Sequence, residues 1–207
     1  TVKEMSSNSG ALPYRLESPC ALIIGAKDSV FSGNSFTLAG YQYSGIRQVA
    51  RCRLNQSSIH QFDAIVLGAG AAGLLCAIEA GKRGRRIAIV ERAERAGKKI
   101  QISGGGRCNF TNIYCKAEDF LSANPHFAKS ALARYTPADF IAMVETHGIP
   151  YHEKSRGQLF CDRSADEIVN MLEAECRAAG VQLFLGCDIR EVQRTTEFIV
   201  RTSSAEF

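Results

Sequence analysis

Three glycines, at positions 68, 70 and 73, carry the first chemistry legible in this sequence. They belong to Gly68-Ala69-Gly70-Ala71-Ala72-Gly73, the G-x-G-x-x-G spacing of a turn that holds a dinucleotide pyrophosphate. Each glycine has its own task. Gly68 permits the tight turn, Gly70 lets backbone approach the phosphates, and Gly73 lets the following helix pack closely on the preceding strand. The N–H groups that open the helix sit at the positive end of its dipole and hold an anion without a cationic side chain. Glu91 follows Gly73 by 18 residues, where a carboxylate accepts from both ribose hydroxyls. That acid disfavours a 2′-phosphate, so FAD or NAD fits better than NADP; the neighbouring Arg92 works weakly the other way.

These residues need a strand, a helix and a second strand to position them. Phe62 to Leu67 is a short apolar run ending in glycine, and Ala71 to Arg83 has helix formers with Leu74, Leu75, Ala77 and Ile78 as an apolar face. Gly84 ends that helix, and Ile87 to Val90 reads as a buried parallel strand. Residues 92–125 form a Gly- and Lys-rich connector, expected to be a long irregular loop. Thr136-Pro137 predicts a capped helix with Phe140, Ile141 and Val144 on its apolar face, closed by Gly148. Ser164-Ala-Asp-Glu167 predicts a capping box opening a helix to about Ala179. Val181 to Leu185 reads as a third parallel strand, and Glu197 to Arg201 as a hairpin or meander with Ile189 to Arg194. The expected fold is α/β: a parallel Rossmann-like sheet with helices on both faces.

Composition narrows the classes. The 207 residues are 45% hydrophobic and 22% charged, an ordinary globular balance that excludes wholesale disorder. No apolar run approaches the roughly 18–20 residues of a membrane span, and no secretory pattern is visible, so a cytoplasmic protein without a membrane partner is expected. The eight cysteines form no C-x-x-C pair and read as reduced, buried small residues. The net charge of +4 is concentrated in residues 61–120, with 10 basic against 6 acidic side chains, too modest an excess to argue for nucleic acid.

A second segment separates the dinucleotide classes. Gly97-Lys-Lys-Ile-Gln-Ile-Ser-Gly-Gly-Gly-Arg-Cys-Asn-Phe-Thr-Asn112 has three successive glycines that allow close backbone approach and an arginine that can pair with a phosphate or a flavin carbonyl. With the glycine turn and Glu91 at matching spacing, and with Gly157-Gln-Leu-Phe160 further on, residues 61–201 resemble the N-terminal part of the bacterial BaiN/YhiN-like flavoproteins, in the glutathione-reductase-like FAD superfamily. The resemblance implies an FAD-dependent oxidoreductase, with NAD(P)H as electron donor and a small-molecule substrate, some members reducing double bonds in steroid-like compounds. It implies cofactor contacts from Gly68, Ala69, Gly70, Ala71, Ala72, Gly73, Glu91, Arg92 and Lys99. It further implies that Ser103, Gly104, Gly105, Gly106, Arg107, Cys108 and Asn109 run along the pyrophosphate and ribityl chain toward the flavin, and that Ile189 touches adenine through backbone atoms. It names no catalytic acid or base.

Residues 1–60 are rich in Ser and Gly with weak periodicity, have no counterpart in the family, and read as a poorly structured extension in which Ala21 to Gly25 is one strand. The resemblance implies that residues 61–190 are the N-terminal part of the FAD-binding domain and that residues 191–207 begin an inserted domain or meander, so the chain is expected to be a fragment.

Plainer readings stand beside these. Cys108 reads as a packing residue rather than a redox thiol. Lys82 to Arg86 reads as a solvated helix end, where the dipole favours cations. His60, His126, His147 and His152 lack metal spacing and read as surface or hydrogen-bonded residues; no metal is expected. Asn55-Gln-Ser57 and Asn109-Phe-Thr111 match a glycosylation pattern that a cytosolic protein would not use. Small-molecule substrate, with no nucleic-acid partner, is therefore the expectation. The alternatives are an NAD-dependent dehydrogenase, or a non-catalytic dinucleotide-binding or RNA-associated module.

Overall fold

The structure, a computed structural model, describes residues 21–24, 35–36 and 60–207. Most of the expected extension over residues 1–60, with Cys20 and Cys52, lies outside the described residues. Two short strands within it are described, β1 (Ala21–Ile24) and β2 (Ser35–Phe36).

The unit that positions the glycine turn is β3 (Ala64–Leu67), α1 (Ala71–Gly81) and β4 (Ile87–Val90). Both strands are buried along their whole length, which is why they read as continuous apolar runs rather than alternating ones. They pair in parallel, Ala64 opposite Ile87 through Leu67 opposite Val90. Helix α1 buries Gly73, Leu74, Ala77 and Ile78, one stripe at helical spacing, and ends at Gly81, with the turn closed at Gly84 (φ +74°).

The connector after β4 is not the long irregular loop expected. It contains α2 (Lys98–Ile102), a 3₁₀ turn over Ser103–Gly105, and β5 (Asn109–Asn112). Its glycines serve as left-handed hinges between short regular pieces. Then come α3 (Lys129–Arg134), α4 (Pro137–Thr146), β6 (Tyr151–Ser155), β7 (Gln158–Cys161), α5 (Asp166–Ala178), β8 (Gln182–Phe184), β9 (Ile189–Arg194) and β10 (Phe198–Thr202).

Helix α4 starts where Thr136-Pro137 predicts, with Thr136 Oγ1 accepting from the Asp139 amide and Asp139 Oδ2 accepting from the Thr136 amide. The capping box expected at Ser164 does not form. Helix α5 begins two residues later, Ser164 Oγ accepts from the Asp166 amide instead, and the Glu167 carboxylate is drawn into an ion pair with Arg163.

The main sheet has the order β1-β3-β4-β8, all parallel. Successive side chains of β3 and β4 feed two cores. Ala64, Val66, Ile87 and Ile89 pack with α1 and with Ile168, Leu172 and Cys176 of α5. Ile65, Leu67, Ala88 and Val90 pack with Phe62, Val192, Val200 and Phe207. The Rossmann-like parallel α/β fold is thus present. Among the described residues, however, helices cover one face, and the second face carries the antiparallel β9–β10 hairpin in place of a helix. Phe198 and the β-branched Ile199 and Val200 favour that strand cover. A third, antiparallel sheet, β5-β7-β6, leads away from the connector.

Candidate functional site

The glycine turn lies at the carboxyl ends of β3 and β4, where open α/β sheets bind ligands. Gly68 adopts φ +100°, a conformation that L side chains rarely take. A Cβ on Gly73 would lie 2.0 Å from the Gly68 carbonyl oxygen, so no larger residue fits between helix and turn. Gly70 is different: it has an ordinary φ of −83°, and a Cβ there would meet nothing within 4 Å among the described residues. Gly70, Ala71 and Ala72 are exposed, so the first-turn N–H groups of α1 face open space.

Ala69 is the fixed point of the turn. It is 1% exposed, its N–H donates to Glu91 Oε2 at 2.7 Å, and its carbonyl accepts from the Gly97 amide at 2.8 Å. The other Glu91 oxygen accepts from the Ala93 amide at 2.7 Å. Glu91 therefore has a structural duty beside the ribose-binding one expected of it. Each carboxylate oxygen still has lone-pair capacity for a hydroxyl. Gly97 was absent from the expected site residues, yet its φ of +67° and its hydrogen bond to Ala69 tie the connector to the turn. A Cβ on Gly97 would approach Val169 Cγ2 to 2.5 Å. Its place at the head of the Gly97 to Asn112 segment is the sequence signal for it.

The second glycine cluster curls beside this turn. Gly104, Gly105 and Gly106 take φ of +58°, +70° and +85°, and Cys108, a non-glycine, takes +51°. Positive φ in a non-glycine residue stores strain of the kind that collects at functional sites. Ser103 holds the curl from inside: its carbonyl accepts from the Gly106 and Cys108 amides, each at 3.1 Å, and its hydroxyl donates to the Ile100 carbonyl at 2.7 Å. The curl is docked onto the body through Gly106 and Arg107, whose carbonyls accept from the Ala165 and Cys161 amides at 2.8 and 2.9 Å. Gly104 is tight, its Cβ position 2.7 Å from the Phe160 ring, whereas Gly105 and Gly106 face open space. Gln101 and Arg95 both reach Asp166 Oδ1, pinning α2 to α5.

Arg92, Lys99, Arg107 and Asn109 are exposed around these two turns. Ile189 opens β9 and is half-buried; two residues before it, the Cys187 amide donates to the Glu91 carbonyl at 2.9 Å, which brings that strand alongside the acid. Cys108 is 4% exposed, and burial pushes its thiol pKa up, partly offset by a hydrogen bond with Ser103. A thiol held neutral in this way packs rather than reacts.

The remaining expected residues fall elsewhere. Lys82, Arg83 and Arg86 are paired with Glu175, Glu79 and Asp63, each at 2.9 Å, as a solvated helix end requires. His147 and His152 pair with Glu175 and Asp162, and His126 is exposed. His60 departs from the expectation: its Nε2 is buried without a partner and its ring stacks on Phe207 at 5.6 Å. A cavity of about 440 Å³ lies at the far end of β4, lined by Gly81, Arg85, Arg86 and Ala179, away from both glycine turns. Among the described residues, no helix is long and apolar enough to cross a membrane.

Comparison with known proteins places this geometry. A family profile described as "HI0933-like protein Rossmann domain" matches residues 62–207. A ribosomal RNA dihydrouridine synthase of Escherichia coli is 52% identical over 136 residues, 66% of this chain and 34% of that protein. The enzyme of the same name from Haemophilus influenzae is 45% identical over 148 residues, covering 69% and 37%. A 3-dehydro-bile acid delta(4,6)-reductase of Clostridium scindens is 29% identical over 147 residues, covering 69% and 36%. The chain thus spans about a third of the length of the curated relatives it matches. The names of the first two overturn the expectation that no nucleic-acid partner is involved. That expectation rested on a near-balanced net charge, which measures long-range attraction and not whether an enzyme acts on a base.

Proposed function

The chain belongs to the HI0933-like Rossmann family, and from that premise we propose that it is the dinucleotide-binding part of an FAD-dependent reductase that acts on RNA. The observation that carries the reading is the pair of open glycine positions, Gly70 on one turn and Gly105-Gly106 on the other, beside a carboxylate already fixed on the first turn. The residues fit the cofactor. The first turn of α1 would take the pyrophosphate, and Glu91 the ribose hydroxyls. The curl from Ser103 to Asn109 would run along the ribityl chain, with Arg107 beside the flavin or a phosphate and the backbone of Ile189 near adenine. Arg92 and Lys99 would stand beside the ADP portion. When bound, FAD supplies hydride-transfer chemistry, and the protein supplies position and electrostatics. A reduced nicotinamide is the proposed electron donor.

The substrate class follows from the relatives. Dihydrouridine is uridine with two more hydrogens on its ring, and a delta(4,6)-reductase also removes unsaturation, so one chemistry joins the three names. The higher identity to the RNA enzymes favours a pyrimidine in RNA; the bile-acid relative keeps a small unsaturated ketone as the second reading. The test is nucleoside mass spectrometry of ribosomal RNA incubated with the protein, FAD and NADPH. Uridine gaining two hydrogens supports the first reading. Unchanged RNA together with reduction of a steroid enone supports the second, and neither product contradicts both.

A further inference from the structure

Away from the cofactor turns, Tyr114 is 68% exposed and held in place from beneath. Its ring covers the β6–β7 turn so closely that a Cβ on Gly157 would lie 2.5 Å from Tyr114 Cδ2. Asn112 fastens the two together: its Oδ1 accepts from the Tyr114 amide at 2.9 Å, and its Nδ2 donates to the Arg156 carbonyl at 3.0 Å. Ser155 pairs with Gln158, so the turn has two residues, Arg156 (φ +51°) and Gly157 (φ +78°). Two positive φ values are the pattern of a type I′ turn, whose first position favours Asn, Asp or Gly. An arginine there is a costly choice for folding alone.

Side chains of both signs flank the turn. Lys116 and Arg156 are exposed and enter no ion pair among the described residues, whereas the Lys154 ammonium lies over the Phe160 ring, 5.2 Å from its centroid. Of the nearby acids, Glu153 accepts from the Gly157 amide and Asp119 from the Lys116 amide, and Glu118 is exposed. Strand β5 runs from Asn109, at the second glycine turn, to Asn112, a path of roughly 10 Å at the usual rise per residue.

We propose that Tyr114 on the Arg156-Gly157 turn is a stacking platform for an unpaired base of an RNA substrate, with Arg156 and Lys116 taking the flanking phosphates. The proposal rests on the RNA reading above. An exposed ring clamped to a turn that presents an exposed arginine matches a chain of π-faces joined by phosphates. An acidic peptide offers the charge but no planar face.

The test is fluorescence anisotropy of the chain with a labelled mixed-sequence single-stranded RNA and with its duplex, alongside an FAD titration. The single strand is expected to bind more tightly. Tyr114→Ala should weaken it about tenfold, a typical loss for one stacked base, while Tyr114→Phe retains binding. Arg156→Asn should weaken binding and lower the salt slope by about one unit while raising the melting temperature, because asparagine suits the turn. RNA binding unmoved by Tyr114→Ala and Arg156→Asn, no RNA binding at all, a preference for duplex, or equal binding of polyglutamate would each overturn the platform. FAD binding that persists in such a case leaves the dinucleotide reading standing. RNA binding lost in Tyr114→Ala without any uridine reduction would sustain the platform and sink the reductase reading.

Discussion

The Ala69 amide donates to the Glu91 carboxylate at 2.7 Å, joining residues 22 positions apart at the ends of adjacent parallel strands. The same carboxylate also accepts from the Ala93 amide. One acid thus shapes the glycine turn, and its remaining lone pairs are those the proposed reading gives to the ribose hydroxyls.

Replacing Glu91 by glutamine should cost stability as well as cofactor affinity. One amide oxygen replaces two carboxylate oxygens, so one backbone N–H, of Ala69 or of Ala93, faces an NH₂ group. The loss of a charge-assisted hydrogen bond predicts about 1.5–3 kcal/mol in a urea melt of the cofactor-free chain. An unchanged melt would leave Glu91 with a ligand role alone.

The glycines should rank by what a methyl group would strike. Gly73→Ala meets the Gly68 backbone oxygen at 2.0 Å and should be the most disruptive. Gly97→Ala meets a movable Val169 methyl at 2.5 Å and adds left-handed strain, predicting about 1–3 kcal/mol. Gly84→Ala meets nothing within 4 Å and pays only for its φ of +74°, about 1–2 kcal/mol. Melts that reverse this order would contradict the packing of α1 and the connector.

Much of this architecture is legible in the sequence. The strand, glycine turn, helix and second strand announce themselves because both strands are wholly buried and α1 shows one apolar stripe. Thr136-Pro137 marks α4 because capping is local. What could not be read needs three dimensions. The Glu91–Ala69 bond and the Gly97–Ala69 bond span 22 and 28 residues. The box at Ser164 failed because Arg163 competes for the Glu167 carboxylate. The connector looked irregular because its regular pieces, five residues or fewer, are too short to show a period.

Thiol reactivity should follow burial. Burial pushes Cys161 up to about 12 and Cys176 up to about 11, with neighbouring charges adding smaller effects. At pH 8 both should resist iodoacetamide in the native chain and label rapidly in urea, as site-resolved mass spectrometry would show. Fast native labelling of Cys161 would contradict the docking of β7 beneath the second glycine turn.

Glu175 joins three helices by accepting from His147 and pairing with Lys82, each at 2.9 Å. The His147 hydrogen bond first, then the Lys82 one, hold its pKa below the usual 4.5. A depressed carboxylate stabilises fully above its unfolded value and loses that contribution as pH falls through the native one. Glu175→Gln should therefore lower stability by about 1 kcal/mol near neutrality and erase part of the acid-side loss below about pH 4.5. Parallel curves for parent and variant down to pH 3 would contradict this.

The most direct test of the central claim is an FAD titration, read by visible absorption, of the parent chain and Gly70→Val. Gly70 has an ordinary φ, and among the described residues nothing beyond its own chain neighbours lies within 4 Å of where its Cβ would be. Valine should therefore leave the melting temperature almost unchanged and abolish the flavin spectrum that the parent acquires, because the proposed pyrophosphate position takes that space. A parent that ignores FAD, or a folded Gly70→Val chain that binds it equally well, would contradict the account.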